Sequence, residues 1–466
     1  MNKYKTLLSN TLLISIGTFG SKILVFFMVR FYTGYLTPAD YGTADLITQT
    51  ANLLFPVISL GITDGVFRYA LDNARGRRSI FTVGFSVITA GSLMFVFIIP
   101  LLNIVDEFKG HIWLIVMYTM ASCYHSLCAQ FIRARGNTAL FAVQGIVNTA
   151  LVILLNITFL AVLKIGITGY VLSVVLADFI CTVFLFIKER LWTQFTPHPR
   201  RSAFYKMLRY SIPLIPATIF WWITSVSDRY MVNGFIGSAA NGIYSVSYKI
   251  PTILTIVSSV FMQAWQFSAV TESHGNRREH IAFFTNVWRS FQAVMFLAGS
   301  FIIAFAKPAI KILSTAEYYS AWKYVPLLSA SMIFTAFVSF TGTVYVVNKQ
   351  SGVSFLTSMA GALINIILNF ILIPSPLGVQ GAAIATFIAY LVVFVIRAVN
   401  TRKYIPFKLY GGRVAINTLL ILVQTVFMVT ELKGWMIAQA VCIVLLIAVN
   451  FKFIMACVYK VLRIRR

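Results

Sequence analysis

Apolar residues in this chain run in long unbroken stretches, and the stretches recur from end to end. Leu140–Leu163 and Ile167–Ile187 each reach the roughly 20 residues that a helix needs to cross a hydrocarbon core. The pattern predicts about 14 such helices, near 7–30, 42–63, 80–102, 111–133, 139–163, 166–187, 208–231, 242–269, 284–306, 322–347, 352–373, 379–398, 412–430 and 434–457. A soluble protein of this length could hide much apolar core, but not charge-poor runs of that length repeated throughout. The expected fold is an all-α integral membrane protein.

The connections between these spans carry an internal echo. Gly34 to Gly42 joins spans 1 and 2, and Gly234 to Gly242, 200 residues later, joins spans 7 and 8. Each places a glycine where the chain leaves one helix and another where it enters the next, which permits a tight turn. Asn156 precedes Gly166 and Gly169, just as Asn369 precedes Gly378 and Gly381. Two matches in the same order point to duplication. The expected organisation is an N-terminal lobe of six spans (1–190), a linker rich in basic residues (191–207), a C-terminal lobe of six spans (208–400), and two further helices with a basic tail (401–466). Six is even, so the lobes share one orientation and relate by a pseudo-twofold axis along the membrane normal, with a cavity between them.

Composition agrees: 59% of the residues are hydrophobic and 11% charged, against about a quarter charged in soluble domains. The net charge of +25 would elsewhere suggest nucleic acid. Here the basic residues sit in short loops and report orientation. With the N-terminus inside, 28 of the 38 Lys and Arg fall on the inner side and 8 on the outer, so both termini are expected in the cytoplasm. The first apolar segment runs on to Phe31 with no small-residue cleavage site and is expected to remain as a helix. The five cysteines, at 123, 128, 181, 442 and 457, have neither metal-ligand nor disulfide spacing and read as packing residues.

Three segments then carry a resemblance. They are Leu36 with Tyr41-Gly42; Tyr210-Ser211-Ile212-Pro213-Leu214-Ile215-Pro216 followed by Ser227-Asp228-Arg229; and Gly242-Ile243-Tyr244-Ser245-Val246-Ser247-Tyr248-Lys249-Ile250. In their order and spacing the chain resembles the polysaccharide-translocase (Wzx-type) branch of the MATE-like (MOP) flippase superfamily. The resemblance covers essentially the whole chain. It implies a multi-pass protein of the bacterial inner membrane that moves undecaprenyl-diphosphate-linked oligosaccharide to the outer leaflet for O-antigen, capsule or a similar polymer. The polymerase machinery of that polymer is a candidate partner, and nucleic acid is not.

Ionisable residues inside spans cost roughly 2.5–3.5 kcal/mol each on insertion scales and usually face a polar cavity. The candidates here are Lys22 in span 1, Arg30 at its outer end, Asp45 and Gln49 in span 2, Asp228 and Arg229 at the end of span 7, and Lys249 in span 8. Asp45 and Gln49 lie four apart and share a helix face, as do Ser245 and Lys249 at the repeat-equivalent places. In the family resembled, spans 1, 2, 7 and 8 line the cavity, so Lys22 and Lys249 would meet a diphosphate there as point charges. Competing readings stay open: Asp228 and Arg229 as interfacial anchors, and Asp45 with Lys249 as a structural ion pair between lobes. Asp178 in span 6 is either a structural hydrogen-bond partner or a coupling group for protons or sodium. His125 in span 4 reads as a satisfied packing residue. Arg68, Arg75, Arg77, Arg78, Arg133 and Arg135 read first as topology signals, and more sharply as the site that first captures an anionic lipid head. Pro56, Pro213, Pro216, Pro251 and Pro326 are expected within spans as bends, with Pro251, beside Lys249, the preferred one.

No G-x-x-x-x-G-K-[ST], H-E-x-x-H or nucleophile-elbow sequence occurs. No cofactor is expected, and the drive would be an ion gradient, the membrane potential or product consumption. The alternatives are a MATE-type ion-coupled multidrug antiporter, kept alive by the three aspartates, and a membrane enzyme, which the short outer loops disfavour.

Overall fold

The structure is a computed structural model and describes residues 24, 26–72, 76–271, 276–348 and 350–464. Among them, every regular element is helical. Contacts divide the chain into two compact units, Met1–Val226 and Ser227–Arg466. Lys22 and Arg75 lie outside the described residues.

Unit 1 contains α1 (26–35), α2 (Pro38–Ile58), α3 (Ile62–Asp72), α4 (Arg77–Leu93), α5 (Phe95–Leu102), α6 (Ile112–Ala134), α7 (Thr138–Asn156), α8 (Gly166–Lys188), α9 (Arg201–Ser211) and the first half of α10 (Ile215–Phe235). α2 starts sharply for a local reason. Thr37 accepts a bond from the Asp40 amide at 3.2 Å while the Asp40 carboxylate takes the Thr37 amide at 3.4 Å, and Pro38 occupies the first turn. After Ile58 the axis turns by 54° into α3, two residues beyond Pro56, whose ring cannot donate to the ladder. Between α4 and α5 the axis turns by 41°. The two breaks meet in space: the carbonyl of Ile58 presses on Gly91 of α4, where any side chain would collide with it. α7 continues into a π-helical turn, Ile157–Val162, before the Gly166 turn.

Unit 2 continues with α11 (Ser238–Lys249), α12 (Thr252–Thr271), α13 (Arg277–Ala304), α14 (Ala306–Leu313), α15 (Val325–Val347), α16 (Ser351–Leu372), α17 (Val379–Asn400), α18 (Gly411–Thr430) and α19 (Trp435–Ile464). α11 and α12 part by 44° around Pro251, the bend expected from sequence. Pro326 does not bend a span; it is the second residue of α15, where no intrahelical donor is missed. An aromatic cluster fills the core. Trp265 stacks on Phe340 with centroids 4.8 Å apart, and the buried Trp288 donates its indole N–H to the carbonyl of Leu409 at 2.8 Å.

Eight helices are individually long and apolar enough to cross a bilayer, and counting each bent pair as one span gives up to eleven among the described residues. Those eleven match the expected spans 2–6 and 8–13; spans 7 and 14 fall on α10 and α19, and span 1 lies mostly before residue 26. Burial confirms the solvent. α16 turns Leu363, Ile367, Phe370 and Ile371 outward, while its polar Thr357, Asn365 and Asn369 are buried. An apolar exterior over a polar interior fits lipid surroundings. This is a multi-pass membrane protein.

The glycine turns repeat as expected. Gly166 and Gly378 both sit at φ +54°, which other residues adopt at a cost. Three residues later, Gly169 and Gly381 each abut the preceding helix too closely for a Cβ.

Arg397, counted in the sequence as a cytoplasmic loop charge, is instead 4% exposed and ties three helices. Its guanidinium donates to the Val338 carbonyl of α15 (2.9 Å), to the Thr357 hydroxyl (2.9 Å), Ser354 carbonyl (3.1 Å) and Ser358 hydroxyl (2.9 Å) of α16, and it belongs to α17. Arg397→Ala therefore strips several buried acceptors at once and opens a void. Thermal unfolding in detergent is expected to show a loss of about 2–3 kcal/mol; a melting point equal to the parent's would refute this role.

Candidate functional site

Two buried clusters are built around carboxylates, one in each unit. In unit 1, Asp178 of α8 is 7% exposed and faces α6 and α7. Its Oδ2 accepts the Ser122 hydroxyl at 2.6 Å, and its Oδ1 accepts the Asn148 amide at 2.9 Å and meets His125 Nδ1 at 3.0 Å. His125 Nε2 in turn meets Gln144 Oε1 at 2.7 Å. Both ring nitrogens thus face oxygens. The ring either carries both protons or meets Gln144 through that residue's amide N–H. Sequence reasoning missed this pairing, because residues 53 apart on different helices leave no spacing signal.

In unit 2, Asp228 of α10 is 1% exposed. Its Oδ2 accepts the hydroxyls of Tyr244 at 2.8 Å and Tyr248 at 2.6 Å, with Thr386 at 3.4 Å, and its Oδ1 accepts the Arg229 amide at 2.9 Å. The Arg229 guanidinium lies over the Tyr248 ring, 4.8 Å from its centroid, a cation–π contact. Asn365 extends the network by bonding Thr386 at 3.3 Å and Ser227 at 3.3 Å. The Asp228 carboxylate is thus buried within the protein and engaged on both oxygens. It positions Tyr248 and, through that ring, Arg229. The tyrosines lie four apart on α11, so the helix presents them on one face; that spacing was the available signal.

The other sequence candidates lie on α1, α2, α3, α6 and α11. Asp45 is buried in α2, near the Tyr41–Tyr170 pair, and Gln49 is half-buried one turn later. The Gln49 carbonyl accepts the Trp222 indole N–H at 3.1 Å. Lys249 is half-buried in the last turn of α11, immediately before the bend, where the helix C-terminus favours a cation. Arg30 and Arg68 are exposed. Arg133 is sandwiched between the rings of Phe67 and Phe141, 4.6 and 5.2 Å away, and Arg135 pairs with Glu189 at 3.0 Å. Among the described residues no group of three or more His, Cys, Asp or Glu side chains could hold a metal, and Cys123, Cys128, Cys181 and Cys442 are buried and free.

Residues 7–267 match a family described as polysaccharide biosynthesis protein. No curated protein matches the chain in sequence. Solved structures share the fold at low identity. A multidrug resistance MATE family transporter of the MOP superfamily, in an inward-facing conformation, aligns with a TM-score of 0.68 at 13% identity, covering 82% of this chain and 94% of its own. The lipid II flippase MurJ, in an inward closed conformation, aligns with a TM-score of 0.63 at 15% identity, covering 97% of this chain and 99% of its own. A MOP superfamily transporter from Pyrococcus furiosus, whose binding pocket is described as having reverse polarity, aligns with a TM-score of 0.58 at 14% identity, covering 85% and 95%.

Proposed function

Because this chain belongs to the polysaccharide biosynthesis protein family, we propose that it flips a polyprenyl-diphosphate-linked oligosaccharide across the bacterial cytoplasmic membrane. One observation favours this cargo over a small cation. The lipid II flippase fold accounts for 97% of the chain, whereas the MATE transporter fold leaves 18% uncovered. Whole-length agreement with a flippase of a lipid-linked glycan supports a lipid-linked glycan here.

In this reading Lys22 and Lys249 bind the diphosphate, Asp45, Gln49, Arg30 and Arg229 shape the polar surface around it, and Arg68, Arg75 and Arg133 attract the head from the inner leaflet. Two anionic charges moving outward are helped by an interior-negative potential, by about 2.3 kcal/mol per charge per 100 mV. Asp178 with His125 is the candidate coupling group should an ion gradient contribute.

The test uses proteoliposomes with labelled undecaprenyl-diphosphate oligosaccharide on one leaflet, followed on the other with and without a potential. Protein-dependent movement is expected, falling at least about tenfold in Lys22→Ala and Lys249→Ala proteins that insert normally. Undiminished movement in both variants would remove the lysines from the site. The second reading, an ion-coupled multidrug antiporter, rests on the buried carboxylates of Asp45, Asp178 and Asp228. Failure with several glycans, alongside proton- or sodium-driven uptake of cationic dyes, would establish it instead.

A further inference from the structure

At the end of unit 2 that carries its basic loops, the start of α13, the end of α15 and the segment after α17 border an open pocket of about 510 Å3. Arg277, His280, Asn348, Lys403 and Tyr404 line it, and none of the lining residues is acidic. His280 Nε2 meets the Ala269 carbonyl at 3.2 Å, which fixes the ring at the wall. Arg277 and Lys403 are exposed, and among the described residues neither takes part in a hydrogen bond or ion pair.

Unit 1 has a counterpart. The start of α4 and the chain following α8 enclose about 190 Å3, lined by Ser79, Ile80, Arg200 and Lys206 among others. Ser79 and Ile80 stand 201 positions before His280 and Ile281. Each pocket joins the start of the third span of its lobe to the chain beyond the sixth. Both α4 and α9, which border the smaller pocket, begin without a side-chain cap and so present positive helix ends, and the Arg200 amide joins the two by donating to the Ser79 hydroxyl at 2.6 Å. A basic pocket kept at equivalent places in two copies is unlike charge scattered over loops for orientation.

We propose that these are repeat-related phosphate-binding pockets, and that the larger one holds a phosphate-bearing group between Arg277 and Lys403. The chemistry is specific. A guanidinium forks onto two oxygens and an ammonium adds a point charge. The volume exceeds that of a bare ion, and the place, at helix ends of the basic face, is where anionic headgroups meet pockets of this kind. A lipid headgroup and a soluble phosphate share this chemistry. The pocket uses none of the residues assigned to the oligosaccharide, so it stands whether or not that assignment does.

Full-length protein in nanodiscs of neutral phosphatidylcholine would be titrated separately with short-chain phosphatidylglycerol and with inorganic pyrophosphate, reading adducts by native mass spectrometry and the thermal shift. Saturable binding of at least one is expected, weakened about tenfold in Arg277→Gln/Lys403→Gln. It should persist in the swapped Arg277→Lys/Lys403→Arg protein and in Arg402→Gln, which removes a charge from the same segment outside the pocket. Binding of the lipid alone identifies a headgroup site, and binding of pyrophosphate alone a soluble-phosphate site. No saturable binding of either, or equal binding in the double glutamine variant, overturns the proposal. Should that variant aggregate, Asn348→Trp, which obstructs the larger pocket and keeps both charges, must weaken binding about tenfold for the proposal to hold.

Discussion

Asp228→Ala is expected to cost unit 2 about 3 kcal/mol of stability and to abolish translocation. The carboxylate accepts two tyrosine hydroxyls and a backbone amide in a place that is 1% exposed. Removing it leaves the Tyr244 and Tyr248 hydroxyls without an acceptor, at about 1–3 kcal/mol each, partly relieved if they turn to one another. They are already 3.4 Å apart. Tyr248 is also the ring under Arg229, so the loss spreads to a proposed site residue. Asp228→Asn separates the two effects. An amide keeps one accepting oxygen, so a cost of about 1 kcal/mol is expected, yet the negative charge that balances Arg229 is gone. Translocation by the asparagine protein should fall at least about tenfold, with melting nearly unchanged. Parent-like translocation by Asp228→Asn would reduce the residue to a structural role; parent-like melting of Asp228→Ala would remove even that.

Gly91→Ala should disrupt unit 1 although it adds a single methyl group. A Cβ built there would lie 1.9 Å from the carbonyl oxygen of Ile58. That oxygen is backbone, at the end of α2 where the axis turns by 54°, so no side chain can move aside. Either α2 withdraws from α4 or the bend changes. Overpacking of this kind costs about 3 kcal/mol, and little correctly folded protein is expected by size-exclusion and thermal unfolding. Gly145→Ala is the matched control. Its Cβ would meet nothing within 4 Å, and within α7 alanine is the better helix former by about 1 kcal/mol. Equal melting of the two variants would mean that the close approach is not a constraint.

The spans were legible in the sequence because lipid demands long apolar runs, and the paired glycine turns because Gly166 and Gly378 stand in the same order after an asparagine and share one backbone angle. The bend at Pro251 was legible because a ring that cannot donate advertises itself. The close approach of Gly91 was not, since a glycine inside an apolar run looks like many others until the opposing carbonyl is placed. Arg397 misled for a related reason: an arginine near a span end is normally a topology signal, and its four partners come from two other helices. Asp178 and Asp228 could be named because ionisable residues are rare in the spans. Their partners could not, because hydrogen bonds across 53 or 158 positions depend on tertiary packing alone.

The π-helical turn at Ile157–Val162 lies where the two repeated segments differ in length. Asn156 and Asn369 are 213 positions apart, whereas Gly166 and Gly378 are 212 apart. Unit 1 therefore holds one residue more than its twin between two landmarks that both have kept. In an ordinary α-helix one additional residue would rotate everything beyond it by about 100°. A wide turn takes up the surplus locally. Asn156 and Asn369 still donate back along their own helices, to Val152 and Asn365 at 2.8 and 3.0 Å, and the glycine turns still match in backbone angle. The wide turn thus absorbs a one-residue difference between the two segments while the landmarks on either side keep their local geometry.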